Sequence, residues 1–235
     1  MSSAHESPAI AGLFFAPYDL LMSTTHLLYL HGFRSSPLST KSIRMATVVR
    51  QHYPDVHWWC PQLPASPRQA MRKIFKEIAT WRTRNGYGGM AVMGSSLGGF
   101  YATCVAEAMV CKAVLLNPAV EPARDLAKHI GQQTTWQNPS ERFFFRPRYV
   151  DELTLLRPTG LAQPHNYLTV IAKGDEVLDW REMAARYADT QQRLIEGGDH
   201  ALSQFEPHIP AILDFLDLAA PVHRSDGLFT LASHH

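Results

Sequence analysis

Gly94-Ser95-Ser96-Leu97-Gly98 sets a serine between two glycines, with one residue between on either side. A strand-like apolar run at 90–93 leads into it, and an apolar helical stretch at 97–108 leads out. A strand–turn–helix of this kind lifts a serine hydroxyl above a sheet edge, at a helix N-terminus whose dipole favours an oxyanion. Ser96 is the candidate nucleophile, Gly94 and Gly98 leave room for the turn, and the Leu97 N–H is an oxyanion donor.

A serine alcohol is a weak nucleophile and needs a base within hydrogen-bond reach. His200, in Glu196-Gly197-Gly198-Asp199-His200, follows a short strand pattern at 193–195 and precedes the last helical pattern. It is the candidate general base. The carboxylate that steadies its imidazole is expected after the strand pattern at 167–172, giving the order Ser, Asp, His. Asp175 is preferred there because it stands at the strand edge. Asp179 is the alternative, although it also suits the N-cap of a helix from Trp180. His31-Gly32-Phe33, after the apolar 27–30, supplies the Phe33 N–H as a second oxyanion donor. The chemistry expected of such a set is acyl transfer from an ester or thioester to water through an acyl-enzyme. An acyltransferase on the same residues and a non-catalytic binding protein are the alternatives.

To hold these groups at one edge, the chain needs strands alternating with helices. Strand patterns fall at 25–30, 56–60, 90–93, 113–116, 167–172 and 193–195, several apolar on successive residues as in a parallel sheet covered on both faces. Ala70, Ile74, Ile78 and Trp81 form one helical stripe, with Pro67 near its start. Ile209, Ile212, Leu213 and Leu216 form another. Residues 120–164 break the rhythm with Pro122, Pro139, Pro147, Pro158 and Pro164 and the aromatics Trp136, Phe143, Phe144, Phe145 and Tyr149. This stretch is expected to be a cap insertion. Trp136, Phe143, Phe144 and Phe145 would line an acyl pocket there, with Arg142, Arg146 and Arg148 meeting an anionic leaving group.

An apolar share of 46% and a charged share of 18% are those of a folded domain. With 22 basic and 21 acidic residues, no field draws the chain to nucleic acid or an anionic membrane. The 12 histidines show no HExxH or regular ligand spacing, so neither metal nor cofactor is expected. Cys60, Cys104 and Cys111 form no disulfide framework, which fits a reducing cytoplasm. The run at 10–22 is too short and too interrupted to span a bilayer, and no Lys or Arg precedes Arg34. Residues 1–24 are read as an N-terminal extension of a soluble protein, without a cleaved leader, ahead of a single domain at 25–218. The tail at 219–235 is expected to be loose.

Several blocks together resemble the YqiA-like esterases, small bacterial α/β-hydrolases. They are Leu28-Tyr29-Leu30-His31-Gly32-Phe33-Arg34-Ser35-Ser36-Pro37, Gly94-Ser95-Ser96-Leu97-Gly98-Gly99-Phe100-Tyr101-Ala102, Leu116-Asn117-Pro118-Ala119-Val120, Gly174-Asp175-Glu176-Val177-Leu178-Asp179, and the His200 loop. The resemblance implies an α/β-hydrolase fold and a cytoplasmic esterase that uses Ser96, Asp175 and His200 on a small-molecule acyl ester or thioester, with no cofactor. Residues before Met22 are extra by comparison, and Met22, followed by the small Ser23, reads as an alternative start.

Overall fold

Five consecutive buried residues, His26–Leu30, make the first strand, β1. Their side chains alternate between two cores. Leu28 and Leu30 join one, and Leu27 and Tyr29 join the other, as period-2 geometry requires of a strand covered on both faces. The computed structural model describes residues 23–220. The expectations for an N-terminal extension and a C-terminal tail fall mainly on residues outside these. Thr24, however, belongs to the folded body, bridging to Leu218 and donating its hydroxyl to the Leu216 carbonyl.

After β1 come α1 (Thr40–His52), β2 (His57–Trp59), α2 (Pro67–Arg82), β3 (Met90–Ser95), α3 (Leu97–Met109) and β4 (Lys112–Leu116). The chain then leaves the sheet through α4 (Pro122–Ala127), the antiparallel hairpin β5 (Gly131–Thr134) and β6 (Arg142–Phe145), and α5 (Pro147–Leu156). It returns as β7 (Tyr167–Ala172), α6 (Trp180–Arg186), β8 (Gln191–Ile195) and α7 (Ile209–Leu216). The sheet has six strands in the order β2-β1-β3-β4-β7-β8, and every neighbouring pair is parallel. This is the α/β-hydrolase fold, with its cap inserted between β4 and β7.

All six expected strands are present, and the stripe Ala70, Ile74, Ile78 and Trp81 is buried. The hairpin and α1 have no clear counterpart in the sequence pattern. The buried face of α1 is Ser42, Met45, Ala46 and Val49, a serine and an alanine among two larger residues, too weak a stripe to stand out. Among the described residues no helix is long and apolar enough to cross a membrane.

One buried carboxylate ties the cap to the sheet layer. Glu152 of α5 accepts from the Ser66 hydroxyl at 2.6 Å and the Arg68 N–H at 3.0 Å, at the N-terminus of α2. Both donors lie at the positive end of the helix dipole. Glu152→Ala strands both donors in a buried place. It is expected to cost about 2–3 kcal/mol in urea unfolding, and a loss below about 0.5 kcal/mol would show that the contact carries little.

Candidate active site

At the end of β3 the backbone turns so sharply that Ser96 sits at φ 57°, ψ −123°, a conformation that costs a non-glycine residue about 1–3 kcal/mol. Surrounding bonds hold it there. The Ser96 N–H donates to the Leu116 carbonyl, and its own carbonyl accepts from Gly99 and Ala119. The flanking glycines are needed for close approach. A β-carbon on Gly94 would lie 2.0 Å from the Gly98 carbonyl oxygen, and one on Gly98 would lie 2.0 Å from that of Leu30.

Loops at the ends of β7 and β8 bring the other two groups to the same edge. Ser96 Oγ lies 3.0 Å from His200 Nε2, and His200 Nδ1 lies 2.7 Å from Asp175 Oδ2. Because an ionised carboxylate can only accept, the ring proton is on Nδ1 and Nε2 is free to take the serine proton. The Asp175 side chain is fully buried, and its other oxygen accepts from the Val177 and Leu178 N–H groups, each at 2.8 Å. Three donors thus fix this carboxylate in one orientation. Asp179 instead caps α6, accepting from the Arg181 N–H, and does not reach the imidazole.

Asn117 is the positioning residue that sequence reasoning passed over. It is fully buried at the end of β4, at φ 42°. Its amide donates to the carbonyls of Asp199 and His200, at 3.0 and 3.2 Å, and its oxygen accepts from the Ala172 N–H at 2.8 Å. One side chain therefore pins the histidine loop to the ends of two strands. The available signal was an asparagine directly after an apolar strand run, since Asn tolerates left-handed backbone and carries donors and an acceptor. Glu176 adds a further tie by accepting from the His200 N–H.

On the opposite side of Ser96 runs the loop after β1. A β-carbon on Gly32 would stand 3.6 Å from Ser96 Oγ, so this backbone passes directly beside the hydroxyl. Among the described residues, neither the Phe33 nor the Leu97 N–H has a hydrogen-bond acceptor. Buried His31 braces the loop: its Nε2 accepts from the Leu63 N–H, so its Nδ1 carries the proton and donates to the Gly32 carbonyl. Burial lowers the His31 pKa, in keeping with this neutral ring. Next to Phe33, Arg34 sits at φ 61° and is bolted to the cap. Its guanidinium donates to the Thr134 carbonyl and hydroxyl and stacks 4.0 Å over Trp136, whose N–H donates back to the Arg34 carbonyl.

The family model described as Uncharacterised protein family (UPF0227) matches residues 26–217. The chain belongs to that family. UPF0227 is the YqiA-like family that the sequence blocks resemble. Solved structures share the fold of this UPF0227 protein at low identity. Est1E from Butyrivibrio proteoclasticus matches with a TM-score of 0.61 and 14% identity, over 83% of this chain and 86% of that one. A Paleococcus ferrophilus monoacylglycerol lipase gives 0.60 and 13%, over 83% and 96%. Mouse alpha/beta hydrolase domain-containing protein 10 gives 0.56 and 16%, over 83% and 92%.

In the UPF0227 protein, two cavities meet at Ser96 and His200. One, about 360 Å³, lies under the cap and is walled by Leu97, Ala119, Pro122, Leu126 and Leu178 together with Arg34, Asp125, Lys128 and His129. The other, about 420 Å³, runs toward α1 and is bordered by Ser35, Ser39, Thr40, Lys41 and Gln137. Trp136 borders both, with 64% of its surface exposed. Phe143 lies further off, packed edge-on against Phe33 at 5.9 Å and lining a separate cavity of about 550 Å³ that reaches Leu97. Phe145 is buried in the core. Phe144 is 55% exposed and lines none of these cavities, because alternation along β6 turns it away from its two neighbours. Arg142, Arg146 and Arg148 line none of the three either. Lys41 borders the cavity that runs toward α1, and Arg34 and Lys128 border the one under the cap.

Proposed function

We propose that this UPF0227 protein is a serine hydrolase that cleaves small-molecule acyl esters or thioesters. The observation that carries the reading is the hydrogen-bonded row Ser96 Oγ, His200, Asp175, set beside two unpaired N–H groups. In the first half-reaction His200 Nε2 takes the hydroxyl proton as Ser96 Oγ bonds to the carbonyl carbon. The Phe33 and Leu97 N–H groups receive the charge that forms on the carbonyl oxygen. Asp175 stabilises the imidazolium. Collapse of the tetrahedral intermediate breaks the bond to the alcohol or thiol, which leaves with the proton from His200. Water then repeats the sequence on the acyl-enzyme, releasing the acid and restoring the serine. The monoacylglycerol lipase title of one fold neighbour supports carboxylic-ester chemistry. A cytoplasmic setting belongs to the same reading, supported by three free thiols.

The test is hydrolysis of p-nitrophenyl esters from acetate to palmitate by wild type and Ser96→Ala, together with intact-mass detection of a fluorophosphonate adduct. Turnover and adduct are both expected in the wild type and absent from the variant. Equal turnover in the two proteins would overturn the assignment of Ser96. The apolar cavity predicts a preference for short to medium acyl chains.

A further inference from the structure

We infer that the cavity between Ser96 and the N-terminus of α1 is a subsite for a carboxylate carried by the substrate. The inference rests on the reading of Ser96 as nucleophile and narrows the substrate to esters bearing one negative charge.

Three independent features point into this cavity. The first is the start of α1, a 13-residue helix whose Ser39 N-cap makes no side-chain hydrogen bond and whose first turn holds no acidic residue. Ser39, Thr40 and Lys41 border the cavity, so the free N–H groups of the first turn open on it. The second is Lys41. A cation in the first turn of a helix opposes the dipole. Its ammonium donates to the Ala201 carbonyl, leaving further donors unused. Asp175 and Asp199 attract it through space, but both are engaged elsewhere. Asp175 holds His200, Val177 and Leu178, while Asp199 holds the N–H and hydroxyl of Ser203. The third is Tyr29. Its side chain is fully buried and borders the cavity, and its hydroxyl has no hydrogen-bond partner; the Ser95 hydroxyl is near it but out of bonding geometry.

A carboxylate fits this setting. The helix N–H groups and the ammonium are donors to it, the phenol stands in the cavity wall behind them, and one negative charge matches one cation. Glu176 lies where the two cavities meet, its Oε2 already accepting from the His200 N–H. Its charge repels an anion from the shared mouth.

The experiment compares wild type, Lys41→Met and Tyr29→Phe on two matched pairs of esters. Mono-4-nitrophenyl glutarate against 4-nitrophenyl pentanoate puts the charge on the acyl side. 4-Carboxyphenyl butyrate against phenyl butyrate puts it on the leaving side. In one pair the wild type is expected to favour the anionic ester, and in Lys41→Met the anionic-to-neutral ratio of kcat/KM falls by about tenfold or more. Tyr29→Phe lowers the same ratio by a smaller factor. The pair that responds tells which side of the ester occupies the cavity. An unchanged ratio in both pairs, with anionic and neutral esters falling together, would mean that Lys41 only holds the Ala201 loop, and would overturn the subsite. Calorimetric titration of Ser96→Ala with monomethyl glutarate and methyl pentanoate separates the two readings. Tight binding of the acid alone, lost in Ser96→Ala/Lys41→Met, would keep the subsite even if the wild type hydrolysed no ester. Ester hydrolysis without anionic preference would remove the subsite and leave the hydrolase.

Discussion

His200→Ala is expected to reduce kcat/KM for a neutral p-nitrophenyl ester by roughly 10³–10⁶ while the protein stays folded. Without the imidazole, nothing within reach of Ser96 Oγ accepts its proton, and the three groups act as one unit, so losing one costs nearly as much as losing all. Asp175→Asn extends the test. An amide NH₂ facing Nδ1 favours the tautomer with its proton on Nε2, which cannot accept from serine, and a loss of about 10⁴ follows. Asp179→Asn is the comparison, since asparagine caps a helix as well as aspartate does and the side chain does not touch the ring. Steady-state kinetics on the three variants, with urea midpoints beside them, decides the matter. A large loss in Asp179→Asn and none in Asp175→Asn would mean that the resting contact of Asp175 is not the one used in turnover.

The second large effect is on stability. In Gly98→Ala the new methyl would fall 2.0 Å from the Leu30 carbonyl oxygen and 2.8 Å from that of His31, both backbone atoms in a fully buried strand and its adjoining loop. Neither can rotate aside, so α3 must back away from β1. The expected cost is at least about 3 kcal/mol, a large share of a typical domain's stability. Gly160 has no atom within 4 Å of its virtual β-carbon, and Gly160→Ala should be neutral or slightly stabilising. Urea denaturation followed by tryptophan fluorescence measures both. A midpoint for Gly98→Ala close to wild type would show that the elbow has slack the close approach denies.

These residues were legible in the sequence because their constraints are local. A serine between glycines, after an apolar run and before an apolar helix, fits few arrangements besides a tight strand-to-helix elbow. The loops that bring Asp175 and His200 follow strands that announce themselves. The cap was harder. Its aromatic density marked an insertion, but which aromatic faces Ser96 depends on the register of the β5–β6 hairpin, and that register turned Phe144 outward. The arginines of the same stretch invited an anion-binding role by composition alone. The structure sets Lys41 beside Ser96 instead, from a helix whose stripe was too faint to read. Asn117 and Tyr29 were invisible for another reason. Their importance lies in which polar atoms they satisfy or leave unsatisfied, and pairing of that kind is a property of three-dimensional neighbours.

The all-parallel sheet also has a consequence in time. No two adjacent strands are joined by a tight turn, and Ser96 meets His200 across 104 positions of chain. On a ribosome adding about 5–20 residues per second, the serine therefore exists for roughly 5–20 s before its base has been made. Throughout that interval it is an ordinary alcohol. A chain that stops before β8 keeps the elbow residues, the helix behind them and most of the oxyanion loop, yet has no means of ionising the hydroxyl. On the proposed reading of Ser96 and His200, placing the base almost last in the chain keeps an incomplete molecule from forming an acyl-enzyme.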